Sequence, residues 1–268
     1  MKLVRFDGGR TGVLTDDHVV EVPGVTSWVP LIRGDEVTPR GDGVPLSDVT
    51  LEPPLPDPAA RIFAMGGNFA LHTADTEKKL SIKVPDWPWG FYVIPGTIVG
   101  DGAQIRPPAH TQKLDYEAEV AAVLDDDGAI WGWTAWNDFS MRDPAFGLAP
   151  VDGGPLTWSL QKNFATANAC GPWLVVEPFP ADGLRIRCRV NGELRQDGNT
   201  RDMKHDFAAI AAHIGAYLPL GAGDMIVSGT PSGTAIEGGP GGPFLADGDE
   251  VEVEVDGAGV LLNRIALR

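Results

Sequence analysis

Residues 52–58 read Glu-Pro-Pro-Leu-Pro-Asp-Pro, and four prolines in seven residues are incompatible with a helix interior or a central strand. Regular structure must break here. The segment reads as a semi-rigid linker. It divides the chain into a small amino-terminal domain over residues 1–57, linker included, and a larger one over 58–268. The same residue types recur throughout: 34 Gly and 23 Pro make up about a fifth of the 268 residues, well above ordinary usage. That content disfavours helices and suits turns, bulges and short strands. A hydrophobic fraction of 43% is normal for a globular protein, so the excess does not signal disorder.

Charge and hydropathy exclude several classes. With 21 Lys+Arg against 37 Asp+Glu, the net charge of −16 argues against a nucleic-acid partner, which would need basic patches. No apolar run approaches the roughly 20 residues of a membrane-spanning helix. The start, Met1-Lys2-Leu3-Val4-Arg5-Phe6, has no apolar signal core, which predicts a cytoplasmic protein. Cys170 and Cys188 allow at most one bridge, and a reduced compartment suits them.

Pattern predicts a β-rich α+β protein. Met1–Phe6 reads as a strand, and Thr11–Val22 as a pair turning at Asp16-Asp17. Arg61–Met65 and Asp224–Ser228 read as short apolar strands, Tyr116–Leu124 and Ala129–Phe139 as longer ones. Glu250–Val255 alternates Glu and Val strictly, so one face is wet. Asn68–Lys79 suits one or two helical turns, and Ser81–Trp89, with Pro85 and Pro88, a mobile loop. The clearest helix runs from Asp206 to Leu218, with Phe207, Ile210, Ala211, Ile214 and Leu218 on one face.

Three places could carry chemistry. In Asp115-Tyr116-Glu117-Ala118-Glu119, residues i and i+2 of a strand share a face, so Glu117 and Glu119 present their carboxylates together. Like charges side by side repel unless a cation joins them, and a hard divalent ion takes oxygen ligands. An acidic strand edge in solvent is the other reading of the same spacing. Asp138, in Trp136-Asn137-Asp138-Phe139, can add a third carboxylate, with Arg142 nearby as an anion clamp, or belong to a turn with a surface ion pair. His72 and Asp75, at i and i+3, can meet on a helical turn as an oriented base or as a surface pair. Gly229-Thr230-Pro231-Ser232-Gly233 is a tight loop without the lysine of a phosphate-cradling loop.

These blocks, in order, resemble the fumarylacetoacetate hydrolase family: Gly66-Gly67-Asn68-Phe69-Ala70-Leu71-His72, Leu114 to Glu119, Trp136 to Asp143, Lys162-Asn163-Phe164, Cys170 to Trp173, Asn191 to Thr200 and Gly223 to Gly233. The resemblance spans nearly everything after the linker. It implies a β-sandwich roll behind a small amino-terminal domain, usually a homodimer. It implies Mg²⁺, Mn²⁺ or Ca²⁺ held by Glu117, Glu119 and Asp138. It assigns His72 with Asp75 to water activation, Lys162 to a place beside the metal, and Arg142 and Thr230 to the substrate. The implied reaction is metal-dependent hydrolysis of a C–C bond in a 1,3-dicarbonyl acid. An isomerase or decarboxylase of a 2-oxo acid on the same metal site is the alternative, and a non-catalytic scaffold is the alternative of another class. Three positions depart from the family pattern: Ala145 for a Gln, Ala165 for an Asp and Ile94 for a Lys. They predict a less polar, or differently placed, substrate.

Overall fold

The structure is a computed structural model and describes residues 1–55, 57, 59–80, 83–148 and 154–267. Strands form where β-branched and aromatic residues run between Gly- and Asp-rich turns. The first 52 residues give β1 (Lys2–Phe6), β2 (Arg10–Thr15), β3 (His18–Glu21), a short helix α1 (Val29–Ile32), β4 (Arg40–Pro45) and β5 (Leu51–Glu52). The β2–β3 hairpin turns as expected at Asp16, whose φ of 53° is a left-handed conformation that Asp tolerates. Then come β6 (Ile62–Met65), α2 (Ala70–Leu80), β7 (Gly90–Tyr92), β8 (Ile98–Val99), β9 (Gln104–Ile105), β10 (Leu114–Asp115), β11 (Ala118–Leu124), β12 (Ile130–Asp138) and β13 (Ser140–Met141). The remainder supplies α3 (Pro155–Gln161), β14 (Asn168–Val175), β15 (Arg185–Val190), β16 (Glu193–Asn199), α4 (Phe207–Gly215), β17 (Met225–Val227), β18 (Glu250–Val255) and β19 (Gly259–Ile265).

Two sheets carry the β-rich α+β architecture. The larger runs β4-β3-β2-β1-β14-β12-β11-β17-β6-β7, with β5 also on β1 and β8 on β14; the smaller runs β16-β15-β18-β19-β9. They pack face to face. Val120, Ala122 and Leu124 of β11 share one core with Cys188 and Val190 of β15 and with Val251, Val253 and Val255 of β18. The alternate residues Ala121 and Val123 point the other way, into a second core with Trp28, Ile62, Trp136 and Cys170. Strand β11 is therefore buried on both faces, which is why it reads as an apolar run rather than an alternation. Strand β18 keeps its Val buried and its Glu partly exposed.

Several sequence expectations change in detail. The sheet crosses the proline segment: β1 pairs antiparallel with β14, Lys2 opposite Val175 and Leu3 opposite Leu174. The amino-terminal strands thus extend the main sheet instead of closing one of their own. Pro56 and Pro58 of the expected linker lie outside the described residues, as do Ser81 and Ile82 of the expected loop. Helix α4 starts one residue after Asp206, which caps it by accepting from Ala209 N–H at 2.7 Å. Helix α2 spans eleven residues, longer than two turns. The segment after it is anchored, Val84 N–H donating to Glu77 Oε1 at 2.6 Å. Both cysteines are free and buried, in different cores. No helix among the described residues is long and apolar enough to cross a membrane.

Candidate active site

The antiparallel register of β11 and β12 builds the carboxylate cluster. Glu119 lies opposite Trp136 and Ala118 opposite Asn137. One step further, Asp138 N–H donates to Glu117 O at 3.0 Å, which sets Glu117 across from Asp138. Residues i and i+2 share a face, and so do directly opposed residues. Glu117, Glu119 and Asp138 therefore point the same way, on the side of Ala121 and Val123 that faces away from the smaller sheet. All three are buried, and one carboxylate oxygen of each lies within 4.8 Å of the others.

Two cations already stand in this cluster. Lys162, just beyond α3, donates from Nζ to Glu117 Oε2 at 2.5 Å and to Asp138 Oδ2 at 2.6 Å. Arg142 donates to Glu117 Oε1, and through Nε to Asp115 Oδ2 at 3.1 Å. Burial alone would raise Glu117, but Arg142 and Lys162 overcome it and hold its carboxyl well below the usual range. Glu119 goes the opposite way: burial, then the charges of Asp138 and Glu117, push it well above. Burial, opposed by Lys162 and reinforced by Glu117, lifts Asp138 to about 7. Four buried carboxyls, Asp115 included, against two cations leave two negative charges if all ionise, the charge one divalent ion neutralises. Asp138 Oδ1 is buried with no hydrogen-bond partner among the described residues. An all-oxygen donor set with such an orphaned acceptor fits a hard cation of the Mg²⁺, Mn²⁺ or Ca²⁺ type.

His72 meets an acid, but a different one from that expected. Its Nδ1 lies 2.6 Å from Glu237 Oε1, with both side chains largely buried. Asp75 is exposed, three residues along α2. The face of α2 that turns inward at His72 packs on the turn Ala235–Gly241, and Asp75 falls on the outward side. Glu237 is itself held by Gly233 N–H, which donates to Oε2 at 2.8 Å. With Nδ1 engaged, Nε2 is the nitrogen left to act in the cavity that His72 lines.

Supporting residues that the sequence did not single out tie these pieces together. Asp115 accepts from Arg142 and from the N–H groups of Ala235, at 2.7 Å, and Ile236, at 3.1 Å, so one carboxylate steadies both the guanidinium and the Glu237 turn. Gln196 accepts from Ala118 N–H at 3.0 Å and donates to Thr230 Oγ1 at 2.8 Å and Pro231 O at 2.7 Å. Thr230 lines the cavity, but its hydroxyl donates to Ala118 O at 2.9 Å, so that hydrogen is already in use.

A cavity of about 170 Å³ opens onto His72, Glu117, Arg142, Lys162 and Thr230, with Trp89, Phe91 and Trp158 among its other walls. Of the three departures, Ala145 lines this cavity, whereas Ile94 and Ala165 are exposed elsewhere.

Comparison with known proteins adds a lineage. A family model described as fumarylacetoacetate (FAA) hydrolase C-terminal matches residues 61–266, and one described as Rv2993c-like, N-terminal, matches residues 1–54. The oxaloacetate tautomerase YisK of Bacillus subtilis is 31% identical over 233 residues, covering 82% of this chain and 74% of that protein. Among solved structures, the fumarylacetoacetate hydrolase of Exiguobacterium antarcticum aligns over the whole of both chains with a TM-score of 0.80 and 30% identity. The 5-carboxymethyl-2-hydroxymuconate delta-isomerase of Mycobacterium smegmatis aligns as fully, with a TM-score of 0.78 and 26% identity.

Proposed function

The chain belongs to the fumarylacetoacetate hydrolase family, and from that premise we propose that it is a divalent-cation-dependent isomerase interconverting the keto and enol forms of a 2-oxo acid. The sequence pointed first to C–C hydrolysis, with an isomerase or decarboxylase of a 2-oxo acid as the alternative. The relatives favour the alternative: one is named an oxaloacetate tautomerase and another a delta-isomerase.

The observation that carries the reading is a base held by an acid, His72 on Glu237, lining the same cavity as Glu117 of the carboxylate cluster. Held by Glu117, Glu119 and Asp138, a hard divalent ion would polarise the oxygens of a 2-oxo acid and acidify the neighbouring C–H. His72 Nε2 removes that proton, and Glu237 stabilises the imidazolium that results. The C–H electron pair becomes the C=C bond, and the carbonyl pair moves onto oxygen, which takes a proton from solvent. His72 then returns its own proton to solvent, so the balance is one keto acid to one enol. Lys162 keeps a buried positive charge beside the site, which favours negative charge developing on the substrate oxygen. Hydrolysis would ask the same base to position an attacking water as well, and would release a carbanion.

The reading carries with it a homodimer, as the family resemblance implies, and a reducing cytoplasm, which the two free thiols support. The test is a panel of 2-oxo acids and acylpyruvates with and without Mg²⁺, following enol absorbance and pyruvate release together. Mg²⁺-dependent interconversion without pyruvate release is expected. Pyruvate release from an acylpyruvate as the faster process would return the chain to the hydrolases.

A further inference from the structure

The cavity has two unlike linings. His72, Glu117, Arg142 and Lys162 form the polar one, and Trp89, Phe91, Trp158 and Val84 form an aromatic-rich apolar one. Trp89 and Trp158 stack with centroids 5.1 Å apart and planes at 25°, while Phe91 meets Trp158 edge-on at 5.2 Å and 86°. Gly66 makes the seat possible: a Cβ there would lie 2.9 Å from Trp89 Cζ2. Lys162 Nζ stands 5.5 Å from the Phe91 ring centroid, so the aromatic wall begins where the charges end.

Charge accounting then separates two kinds of 2-oxo acid. Among the described lining residues the lysines and arginines are Lys162 and Arg142, and each is already paired with two carboxylates. One substrate carboxylate belongs with the cation cluster. A second, beyond the reacting carbon, would lie against rings, against uncharged Thr76 and Gln161 and against Ala145. A charge desolvated there without a counter-charge is unfavourable, whereas a ring gains both apolar burial and aromatic contact.

Resting on the isomerase reading, we propose that the substrates are 2-oxo acids with a single carboxylate and an aromatic group beyond the reacting carbon, not dicarboxylates. Titration calorimetry of the Mg²⁺-saturated protein with phenylglyoxylate and with oxomalonate tests this directly. Neither acid has a hydrogen next to its carbonyl, so neither is turned over; each carries its phenyl ring or second carboxylate on the carbonyl carbon, one bond nearer than a substrate's group beyond the reacting carbon. Phenylglyoxylate is expected to bind at least about tenfold more tightly, and Trp158→Ala to weaken it about tenfold while moving oxomalonate less than about twofold. Ala145→Lys, at an exposed position that accepts the longer side chain, is expected to strengthen oxomalonate at least about fivefold. This variant keeps the proposal exposed if Trp158→Ala does not fold. Oxomalonate binding as tightly as phenylglyoxylate, Trp158→Ala weakening both alike, or Ala145→Lys leaving oxomalonate unchanged would each overturn it while leaving a 2-oxo-acid site intact. Binding of neither acid would sink the isomerase reading itself, and this inference with it.

Discussion

Replacing Glu237 by Gln perturbs the proposed base without touching the carboxylate cluster. Glu237 accepts on both oxygens, from Gly233 N–H at 2.8 Å on Oε2 and from His72 Nδ1 at 2.6 Å on Oε1. Gly233 N–H can only donate, so a glutamine must give it the amide oxygen and turn its NH₂ toward His72. Nδ1 then has to accept, Nε2 has to carry the ring hydrogen, and the nitrogen facing the substrate is no longer basic. Loss of the charged hydrogen bond alone, about 1.5–3 kcal/mol, corresponds to roughly 10- to 150-fold. The wrong tautomer takes the expected fall in kcat to between about 10² and 10⁴, with KM nearly unchanged. Asp75→Ala, on the exposed side of α2, should stay within about threefold of the parent. The assay is the decay of enol absorbance for the best-used 2-oxo acid at saturating Mg²⁺, with melting curves to show that both variants are folded. Full activity in Glu237→Gln together with loss in Asp75→Ala would refute the assignment and restore the local pair.

Two further outcomes follow from the geometry. Burial and neighbouring charge raise Glu119 and Asp138, the latter to about 7, and both must ionise to hold a cation. Mg²⁺ binding should therefore release protons and tighten at least about tenfold from pH 6 to pH 8, the change in the ionised fraction of Asp138 alone, with Glu119 adding to it; calorimetry in buffers of different ionisation enthalpy reads both, and affinity that falls with pH contradicts it. Gln196 is 1% exposed, and Gln196→Leu strands Ala118 N–H and Pro231 C=O in a dry interior. At about 1–3 kcal/mol for each stranded group, the melting temperature should drop by roughly 5–15 °C, and an unchanged melt would show that these bonds carry no stability.

What could be read from the sequence was what local spacing encodes. Glu117 and Glu119 are two apart, so strand periodicity aims them to one side, whereas Asp138 joins them only through the register of β12 on β11. The helix at Asp206 announced itself through its apolar face. Glu237 was not legible in that way. It lies 165 residues from His72, and only the packing of α2 on the Ala235–Gly241 turn brings them together, whereas Asp75 offered a partner at helical spacing. A hint was present in an acid four residues past the Gly229–Gly233 loop, where it can bond back to Gly233 N–H. Gln196 was hidden for a related reason: β16 has mixed polar character, and nothing in its pattern says which polar side chain turns inward. The proline segment marked where residues 1–54 and 61–266 match different families, yet backbone pairing of β1 with β14 across it has no side-chain signature.

The central claim is that His72 moves a proton to and from the carbon beside a 2-oxo group. Its most direct test is solvent deuterium wash-in at that carbon, followed by proton NMR in D₂O with the Mg²⁺-loaded protein and with His72→Gln loaded equally. The account predicts rapid, one-faced exchange in the parent that falls by at least about a hundredfold in the variant while Mg²⁺ still binds. Exchange that survives in His72→Gln, or carbon–carbon cleavage that outruns exchange in the parent, would contradict it.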